Sequence, residues 1–258
     1  MNMMRFTTMK TKLRKYPSIF LILLLAISSC FLTGCVNQHP KDSKKSSQGE
    51  SVETMLEITD PKEKQAVLNA KAKVKALSGN PRIVATSPAV ADICDKLDLD
   101  LVGVPKSSVS KIPSRYKKVK KVGLAMSPDM EIVSSLNPDW ILAPSSLETD
   151  LKPKFEELKN TEYAFLNLRS VQGMYRSVQE LGEIFGKQQE AEKMTKEFTT
   201  FYKSYTKRNK NKKHPKVLVL MGLPGSYVIA TENSYVGSLV KLAGGENVYQ
   251  NTDQEFLT

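Results

Sequence analysis

Residues 82–104 carry the pattern that decides the fold. Arg82-Ile-Val-Ala-Thr86 is a short run of β-forming side chains, residues 88–97 have helical spacing, and Leu101-Val-Gly-Val104 is a second β-forming run. A strand, a helix and a second strand in this order predict a βαβ unit, whose two strands lie parallel in one sheet.

The same alternation continues along the chain as far as residue 170. The pattern predicts helices over 130–136 and 145–158 and strands over 140–143 and 163–168. The predicted fold class is therefore α/β, with a parallel sheet covered by helices on both faces in a first lobe over 60–170. Ligands of such sheets bind in the loops that follow the carboxyl ends of the strands.

A helical pattern then extends over 171–212, and we predict one long helix that bridges two lobes. Strand-forming runs at 216–221 and 226–230 and a short helix at 235–242 begin a second α/β lobe over 213–258. This second lobe has about half the elements of the first and would leave apolar faces uncovered. The expected architecture is two Rossmann-like lobes, of which the second is truncated.

The N-terminus predicts export and lipid attachment. Five basic residues and no acidic ones accompany an apolar run from Ile19 to Ile27, which is too short to span a bilayer and is typical of a signal peptide over 1–34. Leu32-Thr33-Gly34-Cys35 then resembles a bacterial lipobox, which predicts acylation of Cys35 and anchoring at the extracellular face of the cell membrane. Residues 35–59 are polar and predict a flexible tether. The alternative is a plain signal peptide with an incidental cysteine.

Composition and charge exclude several classes of function. The formal charge of +11 falls to about +6 without residues 1–34, because 33 basic and 27 acidic residues remain. A basic run over 203–216 is interpreted as a solvated helix end near an anionic envelope, so no nucleic-acid partner is expected. Cys94 is predicted to be a small core residue. No motif of a hydrolase, a metalloprotease or a phosphate-binding loop is present, and the protein is not expected to be an enzyme.

Three segments together resemble the substrate-binding proteins of ABC importers for iron-siderophores, haem and cobalamin: Pro81–Ile93, Leu136–Ala143 and Ser238–Val248. Three others extend the resemblance to haem-binding lipoproteins of that family, and these are Asp95–Pro105, Met126–Glu131 and Leu220–Tyr227. The resemblance implies two α/β lobes around a ligand, haem as the cargo, an ABC permease in the membrane as the partner, and upstream cell-wall proteins that transfer haem.

Residue roles follow from the same resemblance. Met126 corresponds to the methionine whose thioether ligates haem iron, a soft neutral axial ligand. Met130, one helical turn further on, is the rival and is expected to pack inward. Without the resemblance, a methionine in a loop is more often a core residue.

The resemblance carries the propionate contacts of the relatives onto Pro88 and Ala89, at the start of the first-lobe helix, where unpaired main-chain N–H groups can hold a carboxylate. The resemblance adds Ser107 and Ser108 after the second strand. An ordinary helix cap and turn is the alternative for these positions. Where relatives carry Ser-Tyr, this chain has two serines, so an aromatic contact is lost.

The second axial ligand is missing from the expected positions. The resemblance implies a histidine from the second lobe, and the only two histidines, His39 in the tether and His214 beside the predicted bridging helix, are poorly placed for it. Two alternatives therefore stay open. One is a ferric-siderophore or cobalamin receptor lipoprotein of the same fold, and the other is a truncated, non-functional remnant.

Overall fold

A parallel sheet forms the centre of the first lobe in the computed structural model, which describes residues 5–6, 52–250 and 252–258. The α-helices of the described residues are α1 Val52–Leu56, α2 Pro61–Lys75, α3 Pro88–Lys96, α4 Met130–Ser135, α5 Glu148–Glu156, α6 Val171–Phe185, α7 Gln188–Asn209 and α8 Tyr235–Leu242. Two short 3-10 helices span Ser114–Tyr116 and Ser145–Leu147.

Thirteen strands accompany these helices within the described part of the chain. In the first lobe they are β1 Arg5–Phe6, β2 Ile83–Ala85, β3 Leu101–Val104, β4 Lys120–Lys121, β5 Gly123–Leu124, β6 Ser127–Pro128, β7 Trp140–Pro144 and β8 Glu162–Leu166. In the second lobe they are β9 Lys216–Val217, β10 Val219–Leu223, β11 Ser226–Ala230, β12 Glu246–Asn247 and β13 Phe256–Leu257.

The first-lobe sheet has the order β1-β8-β7-β2-β3-β4, and all neighbours are parallel except β1 and β8. Counted along the chain, the five parallel strands follow the order 3-2-1-4-5, which is that of a Rossmann-type half. The direction of winding reverses between β2 and β7. The predicted α/β class is confirmed, and the reversal marks the edge of the sheet where ligands of such folds bind.

Each face of this sheet packs against its own helices. Ile83 and Ala85 of β2 join a core cluster with α3 and α6, whereas Val84 between them joins a second cluster with α4 and α5. This alternation is the two-residue period of a strand. The sheet is therefore buried on both sides, as the continuous apolar runs predict.

Polar caps decide where the helices begin. Asp60, Ser87, Asp129, Ser170 and Ser234 each accept a main-chain N–H from the first turn of the helix that follows. Such a cap satisfies one of the donors that have no partner inside the helix.

The prediction of one continuous bridging helix over 171–212 is wrong at one point. α6 ends at Phe185 because Gly186 adopts the left-handed conformation (φ 70°), and the N–H of Lys187 bonds to the carbonyl of Gly182. This is the arrangement of a Schellman motif, which ends a helix and turns the chain. α7 is the long helix that reaches the second lobe, where the hydroxyl of Tyr205 donates to the carbonyl of Ala243 at 2.8 Å.

The predicted tether over 35–59 is also corrected at its end. Residues 52–56 form α1, in which Val52 and Leu56 are buried, and Arg176 Nη2 donates to the carbonyl of Met55 at 2.6 Å. Val52 and Leu56 are spaced so that they share one face of the short helix. The structure also pairs β1, from the predicted signal peptide, with β8. The rest of 1–51 lies outside the described residues.

The second lobe consists of α8 and two small sheets. β10 and β11 form an antiparallel hairpin with Pro224 and Gly225 in its turn, β13 pairs with β11, and β12 lies parallel to β9. Several large apolar side chains of the hairpin are exposed, including Leu220, Met221 and Tyr227. No helix of the described segments has the length and apolar character needed to cross a membrane.

Candidate functional site

The start of α3 lies at the carboxyl end of β2, beside the point where the sheet reverses direction. Ser87 Oγ accepts the N–H of Val90 at 3.2 Å, and the carbonyl of Ser87 accepts the N–H of Ala91 at 3.0 Å. Pro88 has no N–H, so the first turn of α3 offers one donor without a partner among the described residues, the N–H of Ala89. The expected row of unpaired N–H groups is therefore reduced to a single exposed one.

Pro88 is half-buried and Ala89 is exposed at this position. The N–H of Ala89 points along a helix axis whose N-terminal end carries partial positive charge. An anionic group can accept a hydrogen bond there, so the geometry is compatible with the predicted propionate contact at Ala89.

The next segment at this edge follows β3. The main-chain N–H of Lys106 donates to the carbonyl of Gly123 at 2.6 Å, which ties the loop to the β5–β6 hairpin. Ser107 Oγ accepts the N–H of Ser110 at 3.0 Å, and its own hydroxyl proton stays able to donate to a ligand. Ser108 is exposed. The two predicted serines therefore lie on a short loop that is anchored to the hairpin carrying Met126.

Met126 occupies the two-residue turn between β5 and β6, together with Ala125. Its side chain is 73% exposed, so the thioether is open to a ligand. The base of the hairpin is held by two main-chain bonds, from Val122 N–H to Val104 O at 2.9 Å and from Asp129 N–H to Val122 O at 2.7 Å. Met126 is thus an exposed sulfur on a fixed turn at the carboxyl edge of the sheet.

Met130 has the opposite environment. It is half-buried and packs against the core cluster formed by α4, α5 and their side of the sheet. The inward packing expected for Met130 is confirmed, and Met126 is the better exposed of the two sulfurs.

A cavity of about 810 Å³ is lined by residues of both lobes, and its lining combines apolar side chains with five charged ones, which are Asp92, Lys96, Glu190, Lys193 and Glu197. Ala89 of α3, Leu168 after β8, and Met174, Met194 and Tyr235 of α6, α7 and α8 contribute to its lining. The volume lies within the range of about 300–1,000 Å³ that is usual for small-molecule sites. The cavity therefore connects the start of α3 with the second lobe through the two bridging helices.

The structure brings only part of the predicted site to this cavity. Ala89 lines it, whereas Ser107, Ser108 and Met126 do not. Sequence reasoning missed Met194 and Tyr235, because an apolar residue on a helix gives no sign of which cavity it faces.

Ser145 is another residue that sequence analysis did not identify. It follows β7 at the same edge, and its buried hydroxyl finds no hydrogen-bond partner among the described residues. The only available signal was its position after a strand at the point where the winding reverses.

The remaining candidates have structural surroundings. His214 Nδ1 lies 2.7 Å from the carbonyl of Gly244, a few residues after the C-terminal end of α7. Cys94 is fully buried, as predicted for a core residue, and burial raises the pKa of its thiol to about 12. Within the described segments no group of three His, Cys, Asp or Glu side chains is placed to hold a metal ion. Cys35 and His39 lie outside those segments.

Comparison with known proteins gives consistent results. A model of the family described as periplasmic binding protein matches residues 83–258. The high-affinity heme uptake system protein IsdE of Staphylococcus aureus is 41% identical over 182 residues, which are 70% of this chain and 62% of that relative. The chain thus spans less than two thirds of the length of the curated relatives that it matches.

Solved structures give the same picture. The crystal structure of S. aureus IsdE complexed with heme has a TM-score of 0.65 and 40% identity, and the match covers 70% of this chain and 69% of that one. An ABC transporter substrate-binding protein from Listeria monocytogenes EGD-e has a TM-score of 0.65 and 46% identity, with 69% of each chain covered.

A more distant structure shares the fold alone. The siderophore-binding protein FhuD from Vibrio cholerae, bound to Fe3+-Desferal, has a TM-score of 0.55 and 20% identity, with 69% of this chain and 70% of that one covered. The closer relatives above are binding and uptake proteins, which confirms the expectation that the chain is not an enzyme.

Proposed function

Because the chain belongs to the periplasmic binding protein family, as its sequence motifs predict, we propose that it binds haem and delivers it to an ABC-type importer. The observation that supports this proposal most is the environment of Met126. The thioether is exposed on a turn whose two flanking strands are paired, so its sulfur is accessible to a ligand at a defined position.

The chemistry of a thioether suits haem iron. Methionine sulfur is a soft ligand that favours iron in a porphyrin and holds it without promoting oxygen chemistry. In this proposal Met126 Sδ supplies one axial ligand. Ser107, Ser108 and the N–H of Ala89 donate to the propionates, and Pro88 fixes the start of α3 against the porphyrin edge.

The cavity of about 810 Å³ adds apolar surface beside Ala89, one of the proposed propionate contacts. A porphyrin is apolar over both faces and charged at the propionate edge, so it needs apolar walls and a few donors at one side. Leu168, Met174 and Tyr235 supply apolar and aromatic surface, and the start of α3 supplies a donor at the rim.

A siderophore or cobalamin receptor is the second candidate, because the same fold binds a ferric siderophore in the V. cholerae structure. Neither of those ligands needs a thioether from the protein. The exposed Met126 therefore favours haem over this alternative.

Competition between ligands tests the proposal. We expect added haem to quench the intrinsic fluorescence of the purified protein. The same quenching should be seen when ferric desferrioxamine or cyanocobalamin is present in excess. Zinc protoporphyrin serves as a control for binding of the porphyrin ring alone. Displacement of haem by the siderophore or by cobalamin would assign the chain to the second candidate.

Anchoring and partners complete the proposal. We infer that Cys35 carries a diacylglyceryl group that holds the protein at the extracellular face of the membrane, near its permease and the cell-wall proteins that pass haem to it. The Cys35→Ala variant is expected to leave the membrane fraction or to stay unprocessed, which immunoblots of cell fractions measure. Acylated variant protein in the membrane fraction would contradict the assignment.

A further inference from the structure

A second cavity, of about 570 Å³, lies between the first half of α6, the start of α2 and loops of the second lobe. It shares no residue with the haem site proposed above. Its charged lining residues are Glu63, Arg169, Arg176, Glu180, Glu232, Asp253 and Glu255. Five acidic and two basic side chains give the cavity a formal charge of −3, which favours a positively charged occupant.

Glu180 and Glu63 form the most buried part of this lining. Glu180 is 0% exposed on α6 and Glu63 is 6% exposed on α2, which packs against α6. Both Glu180 oxygens and Oε2 of Glu63 receive no hydrogen bond from an N–H or hydroxyl group of the described residues. Buried carboxylates without donors are costly, so this pair favours a bound proton or a cation placed between the two carboxylates.

The two arginines of the cavity contact groups other than the Glu63–Glu180 pair, and Nε of Arg176 is buried without a hydrogen-bond partner among the described residues. Arg176 donates through Nη2 to the carbonyl of Met55 at 2.6 Å, and Arg169 Nε lies 2.8 Å from Glu255 Oε1. Burial raises the pKa of the Glu180 carboxyl, the hydrogen bond and charge of Glu63 raise it further, and the charge of Arg176 lowers it only in part. Without a ligand, the pair therefore shares one proton.

We propose that this cavity binds a small organic cation, whose ammonium group replaces the shared proton between Glu63 and Glu180. An ammonium group carries three donors and can satisfy both carboxylates at once. A bare metal ion fits less well, because the described residues contain no cluster of three metal-ligating side chains. The volume also exceeds that of one ion with its water, since a water molecule occupies about 30 Å³.

The proposal makes binding depend on pH in a defined direction. The cation competes with the shared proton, so affinity for the cation rises as the pH rises and the proton is lost more easily. The other charged groups that line the same cavity are Arg169, Arg176, Glu232, Asp253 and Glu255.

Calorimetric titration of the full chain with 1,4-diaminobutane tests the site. We expect binding that tightens between about pH 6.5 and pH 8.5 and that weakens about tenfold or more in Glu180→Gln. Glutamine is isosteric and its amide can donate to Glu63, so this variant is expected to fold. Glu192→Gln, an exposed change on α7, is the matched control and should bind like the parent protein.

Three results would overturn the proposal. They are no heat of binding in the parent protein, equal affinity in Glu180→Gln and Glu192→Gln, and equal binding of magnesium or potassium chloride. Haem titration of Glu180→Gln, judged by its fluorescence response, is expected to match the parent protein. The proposal for this cavity can therefore fail or hold independently of the proposal that the protein binds haem.

Discussion

Asp98 occupies the turn between α3 and β3 and forms ion pairs with two basic side chains. Its backbone is in the left-handed region (φ 51°), its Oδ1 lies 2.8 Å from Arg115 Nη1, and its Oδ2 lies 2.9 Å from Lys187 Nζ. Lys187 directly follows the Gly186 break, so this contact ties the junction of α6 and α7 to the first βαβ unit. The hydrogen bonds from Lys187 and Arg115 lower the pKa of the Asp98 carboxyl.

The lowered pKa of Asp98 predicts a pH effect on stability. The stabilising contribution is present above the ordinary aspartate pKa of about 3.9 and is lost as the pH falls through the lower folded-state value. Asp98→Asn, which tolerates the left-handed backbone, should lose less stability than the parent protein when the pH falls from about 6 to about 3. Urea midpoints at both pH values measure this. Asp150→Asn, an exposed change in α5, should behave like the parent, and an Asp98→Asn midpoint that falls just as steeply would refute the role of Asp98.

Single residues show where sequence reasoning succeeds and where it stops. Cys94 is buried in the core, where the sequence predicts it, because its place on the apolar face of α3 follows from the local spacing of apolar residues. The Glu63–Glu180 pair could not be predicted. Both residues lie on amphipathic helices, and their burial depends on how α2 and α6 pack, which local sequence does not determine.

The break at Gly186 separates two interpretations of the bridging region. In a continuous helix, replacing glycine by alanine stabilises the protein, because alanine has the higher helix propensity. In the observed structure Gly186 is left-handed, and nothing lies within 4 Å of an added Cβ, so the effect comes from the backbone alone.

We therefore expect Gly186→Ala to lower the free energy of unfolding by about 1 kcal/mol. Gly186→Asn should lower the free energy of unfolding by less, since asparagine tolerates this conformation better than alanine. Chemical denaturation of the three proteins measures the differences. A Gly186→Ala variant more stable than the parent would show that one helix runs through this position.

Regular elements with strong local signals were predicted well. β3 and α8 have the predicted limits, because a buried apolar run between turns and a serine-capped apolar helix leave little choice. The β5–β6 hairpin around Met126 was not predicted. Its strands have two residues each, and main-chain bonds to segments distant in sequence hold them in place.

Three contacts tie the second lobe to the rest of the described residues. Arg169 pairs with Glu255 at 2.8 Å, the N–H of Val171 lies 3.4 Å from Ser238 Oγ, and Tyr205 on α7 reaches Ala243. The first contact joins the first lobe to the second, and the other two join the bridging helices to the second lobe. The sequence predicts two lobes and a helical bridge, but these long-range contacts follow only from the folded chain.

The central claim is that Met126 holds haem iron, and absorption and magnetic circular dichroism spectra of the haem-loaded protein test it most directly. The account predicts a thioether-to-iron signature in the parent protein that Met126→Ala abolishes and Met130→Ala retains. Far-ultraviolet circular dichroism should be unchanged in Met126→Ala, because Met126 is exposed and packs against no core cluster, and the same measurement checks that Met130→Ala, which removes a packed side chain, is folded. An unchanged haem spectrum in Met126→Ala would contradict the account, and loss of the signature in Met130→Ala alone would assign the ligand to the other sulfur.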